Sequence, residues 1–149
     1  MKLFIVVSCF FANTYAISES YKSKAMGAMS EITEKCVKRV DATEEDIAEL
    51  MEKKPPTRKQ GKCLMLCFSK EVGMIKNGKI DREGTLKMLE PLKADDAEAY
   101  AKVVNVMNKV FEEMANEEEE DECEYAFKLE ESINRVAKEL NIDLDSFMV

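Results

Sequence analysis

Four cysteines set the frame into which this chain has to fold: Cys36, the pair Cys63 and Cys67, and Cys123. A fifth, Cys9, falls in an N-terminal stretch with the marks of a secretory leader. Lys2 is a short positive start, an apolar run from Leu3 to Phe11 follows, and Thr14-Tyr15-Ala16 offers small residues at the two positions a signal peptidase reads. The run is too short to span a bilayer, which takes about 20 apolar residues. Residues 1–16 are therefore read as a signal peptide and residues 17–149 as one domain exported to an oxidising compartment. Removing Cys9 with the leader leaves an even number of cysteines, and an even number in a small secreted domain reads as two disulfides. A zinc site is the weaker reading. Cys63-x3-Cys67 has ligand-like spacing, but the chain has no histidine and the other cysteines stand far away in sequence.

Between the cysteines the chain reads as helix after helix. Ala25, Met29, Ile32, Cys36 and Val40 recur at helical steps and predict an amphipathic helix over residues 20–40. Thr43 with Asp46 resembles a capping box and opens a short second helix carrying Ile47, Leu50 and Met51, which Pro55-Pro56 closes. A third helix is expected over residues 59–74, with Leu64, Cys67, Phe68 and Val72 on its apolar face. Lys76-Asn77-Gly78-Lys79 reads as a turn between helices, and no strand is expected anywhere. Asp81 caps a short fourth helix, with Leu86 and Leu89 inward, that is expected to end before Pro91. Asp95 and Asp96 open a fifth helix, where acidic side chains suit the positive end of the helix dipole. The last helix is placed at residues 121–140 with Cys123, Phe127, Ile133, Val136, Ala137 and Leu140 inward. Residues 117–122 are all acidic and read as a solvated loop, since they lack the ligand spacing and central glycine of a calcium loop. The end of the chain, with Leu144, Phe147, Met148 and Val149, is apolar, so it is expected to tuck against the core or the mouth of a cavity.

Charge and composition exclude several functions. With 30 acidic against 22 basic residues and no basic stripe, the chain is a poor match for nucleic acid or for an anionic lipid surface. Without histidine, neither a Ser-His-Asp nor a Cys-His arrangement is available, and no carboxylate pair stands on an apolar face, so no enzyme is expected. No cofactor is implied.

Cysteines four apart lie one turn apart on one helix face, so Cys63 and Cys67 can hold two different helices to the third. This constellation resembles the insect odorant-binding proteins, whose six cysteines include a Cys-x3-Cys pair and a Cys-x8-Cys pair. Cys36, the 26-residue gap, and Cys63-Leu64-Met65-Leu66-Cys67 match the first half of that pattern. Gly78-Lys79-Ile80-Asp81-Arg82-Glu83-Gly84 looks like the family's turn before its fourth helix, and Cys123-Glu124-Tyr125-Ala126-Phe127-Lys128-Leu129 like the start of its last. Two departures occur together. Ser132 stands where the family has its sixth cysteine, and residues 107–114 offer no fourth. Those two cysteines bond each other in the family, so a whole bridge is missing and no orphan thiol remains, as in its reduced-cysteine members.

The resemblance implies an all-α bundle of about six helices around a central apolar cavity, with disulfides Cys36–Cys67 and Cys63–Cys123. It implies a secreted carrier, monomer or weak homodimer, that reversibly binds a small hydrophobic molecule such as an odorant or pheromone. Side chains taken as cavity lining are Met65, Phe68, Val72, Leu89, Tyr100, Val104, Met107, Phe111, Phe127 and Phe147. The methionines beyond Met1, nine of the chain's ten, suit an adaptable apolar lining, although ordinary core packing explains them as well. Tyr100 and Tyr125 could meet a ligand's polar end or simply lie on the surface. Two other functions stay open: a non-olfactory lipid or hormone carrier, and a helical protein-interaction module.

Overall fold

The computed structural model describes residues 17–146; the segment read as a leader, and Phe147, Met148 and Val149 of the apolar end, lie outside them. Six α-helices carry the described chain: α1 Glu19–Val40, α2 Glu44–Met51, α3 Lys59–Glu71, α4 Arg82–Asp95, α5 Ala97–Met114 and α6 Glu122–Glu139. A single 3-10 turn, Leu144–Ser146, follows α6. The expected all-α fold with two disulfides is what the chain forms.

Local chemistry explains the boundaries. The Ser18 hydroxyl accepts from the Tyr21 N–H and starts α1, while Asp41 in the left-handed region (φ 54°) ends it. Thr43 and Asp46 form the expected capping box on α2. Asp81, Asp96 and Asp121 cap α4, α5 and α6 through their carboxylates.

Two expectations are corrected. Residues 75–80 form a small antiparallel hairpin, β1 Ile75–Lys76 and β2 Lys79–Ile80. Asn77 (φ 53°) and Gly78 (φ 75°) both adopt the left-handed conformation that a type I′ turn requires, so the Asn-Gly signal outweighed the helical pattern around it. The second correction concerns Pro91, which lies inside α4 instead of beyond its end. Pro91 and Lys87, one turn apart, are both exposed, so the carbonyl released by the missing N–H lies on the solvated side. Leu92, 2% exposed, anchors the helix beyond the proline.

Both bridges join the helices expected. Cys36–Cys67 ties α1 to α3 with Cα atoms 5.6 Å apart, and Cys63–Cys123 ties α3 to α6 at 4.6 Å. Around the first bridge, Cys36, Leu64 and Cys67 make a small core that Ile32, Val40, Ile47, Leu50 and Phe68 flank. The main core lies between α5 and α6 and includes Ile75, Val106, Met107, Val110, Phe111, Met114, Tyr125, Leu129 and Val136. A third cluster, Ile17, Leu92 and Ala99, sits where the start of α1 meets the α4–α5 corner.

Of the stripe predicted on α1 only Cys36, which the bridge holds on α3, is buried; Ala25, Ile32 and Val40 are half-buried and Met29 is 44% exposed. On α6 the prediction found Val136 and Ala137 but missed Tyr125, Ala126, Leu129 and Ser132, which are all buried. The helix packs against both α3 and α5, so its buried face is wider than one stripe. One glycine is demanded by close approach: a Cβ on Gly84 would stand 2.0 Å from the Gly73 carbonyl oxygen, so α4 starts in direct backbone contact with the turn after α3.

Candidate ligand-binding site

The hairpin, α5 and α6 are fastened to one another by polar side chains. Tyr125 on α6 is fully buried, and its hydroxyl accepts from the Ile80 N–H at 3.1 Å. Burial holds its phenol above the usual pKa. Tyr125 is therefore not the surface residue considered from sequence; its hydroxyl pins the hairpin. Ser132, at the position of the missing sixth cysteine, donates to Glu113 Oε2 of α5 at 2.6 Å. Arg135 pairs with the same oxygen. The Ser132 hydroxyl and then the Arg135 guanidinium hold the Glu113 carboxyl below its usual range. A polar latch thus occupies the α5–α6 junction where the family's third disulfide would lie.

The acidic run does more than solvate a loop. Lys128 pairs with Glu117 and Glu119 at 2.7 and 3.0 Å, Asp121 with Lys59 at 2.6 Å, and Glu122 with Lys70. These pairs fasten the α5–α6 connection and the start of α6 to Lys128 of α6 and to both ends of α3.

A cleft of ≈ 1260 Å³ runs along the outer side of α6, open to solvent. Met114, Ala137, Ile142 and Leu144 supply its apolar surface, and paired charges including Glu113, Arg135, Lys128 and Glu117 rim it. The C-terminal segment forms one wall. Ile142 and Leu144 pack half-buried against both the main core and the Ile17 cluster, and Asp145 pairs with Lys53 at the end of α2. Of the apolar end of the chain, Ile142 and Leu144 thus tuck against the core. Beside Lys53, the half-buried Glu130 of α6 accepts from Asn134 at 3.2 Å, and burial pushes its carboxyl pKa up. A smaller concavity of ≈ 450 Å³ lies between α4 and α5, lined by Leu86, Glu90, Lys93, Ala94 and Tyr100. Neither is an enclosed chamber.

The residues expected to line a cavity divide among several environments. Met65, Leu89, Met107 and Phe111 come together at the main core, the last two buried and the first two half-buried around it. Phe68 belongs to the core beside the first bridge and Tyr100 to the cluster around Ile17. Phe127 lies under the Lys62 ammonium, 4.7 Å from its ring centroid, and Val72 and Val104 are half-buried. None of these lines the large cleft. Ile80, Val103, Ile133 and Ile142, which are not among the residues taken as cavity lining, also stand half-buried around the main core with Met65 and Leu89. Helical periodicity places Ile133 inward, but nothing in it separates a filled core from a lining.

Comparison with known proteins agrees with this architecture. The model of the PBP/GOBP family matches residues 18–131. General odorant-binding protein 19d of Drosophila melanogaster is 31% identical over 117 residues, 78% of this chain and 76% of that protein. General odorant-binding protein 28a of the same species is 36% identical over 63 residues, 42% of this chain and 44% of that protein. Among solved structures, odorant-binding protein dmelOBP28a from Drosophila melanogaster superimposes with a TM-score of 0.67 at 25% identity, covering 82% of this chain and 99% of that one. A fatty acid binding protein, OBP56a, from the oral disk of the blowfly Phormia regina gives 0.59 at 24% identity, covering 83% and 97%. A pheromone binding protein of the cockroach Leucophaea maderae gives 0.55 at 21%, covering 80% and 98%. The members of this family are secreted carriers, not enzymes. Its cysteine framework, its helix order and these matches agree: the chain belongs to the PBP/GOBP family of insect odorant-binding proteins.

Proposed function

We propose that the chain is a secreted carrier that reversibly encloses one small hydrophobic molecule, an odorant, pheromone or lipid, and acts as a monomer or weak homodimer. One observation carries the reading. The main core is ringed by apolar side chains that stay half-buried, among them Met65, Leu66, Met74, Leu89, Val103 and Ile133, with Ile142 and Leu144 of the terminal segment over them. A domain of this size without a ligand to hold gains by closing such a shell, at about 25 cal/mol per Å² of apolar surface removed from water. A ligand inserted among α3, α5 and α6 gains the same term. Met65, Leu89, Met107 and Phe111 are its nearest contacts in this reading.

Several features support adaptability. The α5–α6 junction is held by a latch of hydrogen bonds and an ion pair in place of a disulfide. Such a contact opens and re-forms at little cost, so the pocket can follow ligands of different shape. The blowfly protein of the same fold is described as binding fatty acids, which puts long-chain lipids beside volatile odorants among the ligands to test.

Displacement of a fluorescent apolar probe tests the proposal. A carrier takes up one probe per chain and releases it to competing odorants or fatty acids, with weaker binding in Met107→Asp or Phe111→Asp proteins that remain helical. A protein-interaction module takes up none.

A further inference from the structure

Ile17, the first residue after the expected leader, is 6% exposed and belongs to an apolar cluster with Leu92 of α4 and Ala99 of α5. The residue after it is held as firmly. The Ser18 N–H donates to Asp95 Oδ2 at 2.9 Å, and the Ser18 hydroxyl donates to Oδ1 of the same carboxylate. Ser18 also caps α1. The beginning of the domain is therefore seated in a built pocket, with an apolar floor and a carboxylate at its edge. Chain ends are usually loose unless something ties them down.

Successive backbone nitrogens are at most about 3.7 Å apart, as covalent geometry dictates. The nitrogen of Ile17 thus lies within roughly 6.6 Å of Asp95 Oδ2, given the 2.9 Å bond from Ser18. In a chain still joined to its leader, that nitrogen is a neutral amide. Hydrolysis of the Ala16–Ile17 bond adds one water across it, leaving a carboxylate on Ala16 and an ammonium on Ile17.

We propose that Asp95, with Leu92 and Ala99, forms a seat for the processed N terminus, and that leader removal after Ala16 completes the fold by placing an ammonium beside the Asp95 carboxylate. Asp95 accepts two hydrogen bonds from Ser18 and, as a carboxylate, has capacity for more. Net charge at this corner favours the new cation. Asp95, Asp96 and Glu98 come from α4 and α5 and Glu19 from α1; the cations nearby in the chain are Lys22, Lys93 and Lys102, of which Lys22 pairs with Glu19 and Lys102 with Glu98. Tyr21 also faces Asp95, whose charge, after burial, holds the phenol neutral. The seat reaches the far end of the chain as well, because Ile142 and Leu144 pack on the same cluster. Seating the N terminus therefore buttresses the terminal segment that walls the large cleft.

The sign follows from the charge pairing. An ammonium beside a carboxylate has its pKa raised above the ordinary α-amino value of about 7.7. Its stabilisation is complete below that value and is lost as pH rises through the raised one.

The test uses secreted full-length product, the same protein Nα-acetylated, and Asp95→Asn in both forms. Intact mass is expected to place the cut before Ile17. The amine pKa, followed by NMR, is expected above about 7.7 in the parent and back near it in Asp95→Asn. At pH 6.5 acetylation is expected to lower Tm by about 2–4 °C in the parent and by nothing measurable in Asp95→Asn. A protein beginning at Glu19 is expected to exchange amide hydrogens faster at residues 142–146 while keeping its helix content. A cut elsewhere, an unshifted amine, or an acetylation effect that persists in Asp95→Asn overturns the proposal. Each outcome is independent of ligand binding.

Discussion

Removing the bridge between α3 and α6 probes how far this small domain depends on its covalent frame. Cys63 and Cys123 are 60 residues apart, Cys36 and Cys67 31. Chain-entropy arithmetic gives about 4.3 kcal/mol for a loop of the first size and about 3.7 kcal/mol for the second. The two loops share only residues 63–67, so their contributions nearly add. Domains of this size are typically stable by about 5–15 kcal/mol. The Cys63→Ala/Cys123→Ala protein should therefore fold, but melt about 12–20 °C lower. Alanine is chosen over serine so that no new hydroxyl seeks a partner near the core. Urea unfolding followed by circular dichroism measures the loss, with intact mass confirming that Cys36–Cys67 persists. A loss below about 1 kcal/mol would show that packing between α3 and α6 already restricts the unfolded chain, contrary to the entropic argument.

Three further outcomes follow from the polar contacts. Ser132→Ala removes the hydroxyl that Glu113 accepts and should cost about 1 kcal/mol, discounted because the Glu113 side chain is 37% exposed. The Glu113 carboxyl pKa is depressed, so the latch is complete above about pH 4.3 and fades as pH falls through the depressed value; the mutant and parent melting curves should converge there. Tyr125→Phe leaves the Ile80 N–H without its acceptor and should cost about 1–3 kcal/mol, with faster hydrogen exchange in residues 75–80 as the specific sign. Glu130→Gln should raise Tm at pH 7, because burial raises this carboxyl's pKa and the fold loses stability as pH rises through it; the gain should vanish below about pH 4, where both side chains are neutral.

Much of the fold was legible because its signals are local. Caps at Thr43, Asp81 and Asp96 and the spacing of Cys63 and Cys67 depend on neighbours within one or two turns. The pairing of the bridges came from the family resemblance. What escaped is what depends on the third dimension. Tyr125 reads as a surface or ligand residue until its hydroxyl is seen to meet Ile80 across 45 positions. Ser132 reads as the trace of a lost cysteine until Glu113 is seen opposite. The Asn77-Gly78 hairpin is a local signal too, but the helical periodicity on both sides of it masks the left-handed turn chemistry. The candidate lining was legible only in part, since an apolar position at helical spacing has the same signature whether it fills a core or faces a ligand.

The most direct measurement of carriage is calorimetric titration of the processed protein with an uncharged apolar ligand at several temperatures. Enclosure in an apolar pocket predicts saturation at one ligand per chain, a negative heat-capacity change from burial of apolar surface, and insensitivity to salt. No saturable heat, or binding that salt abolishes with no change in heat capacity, would contradict the carrier account.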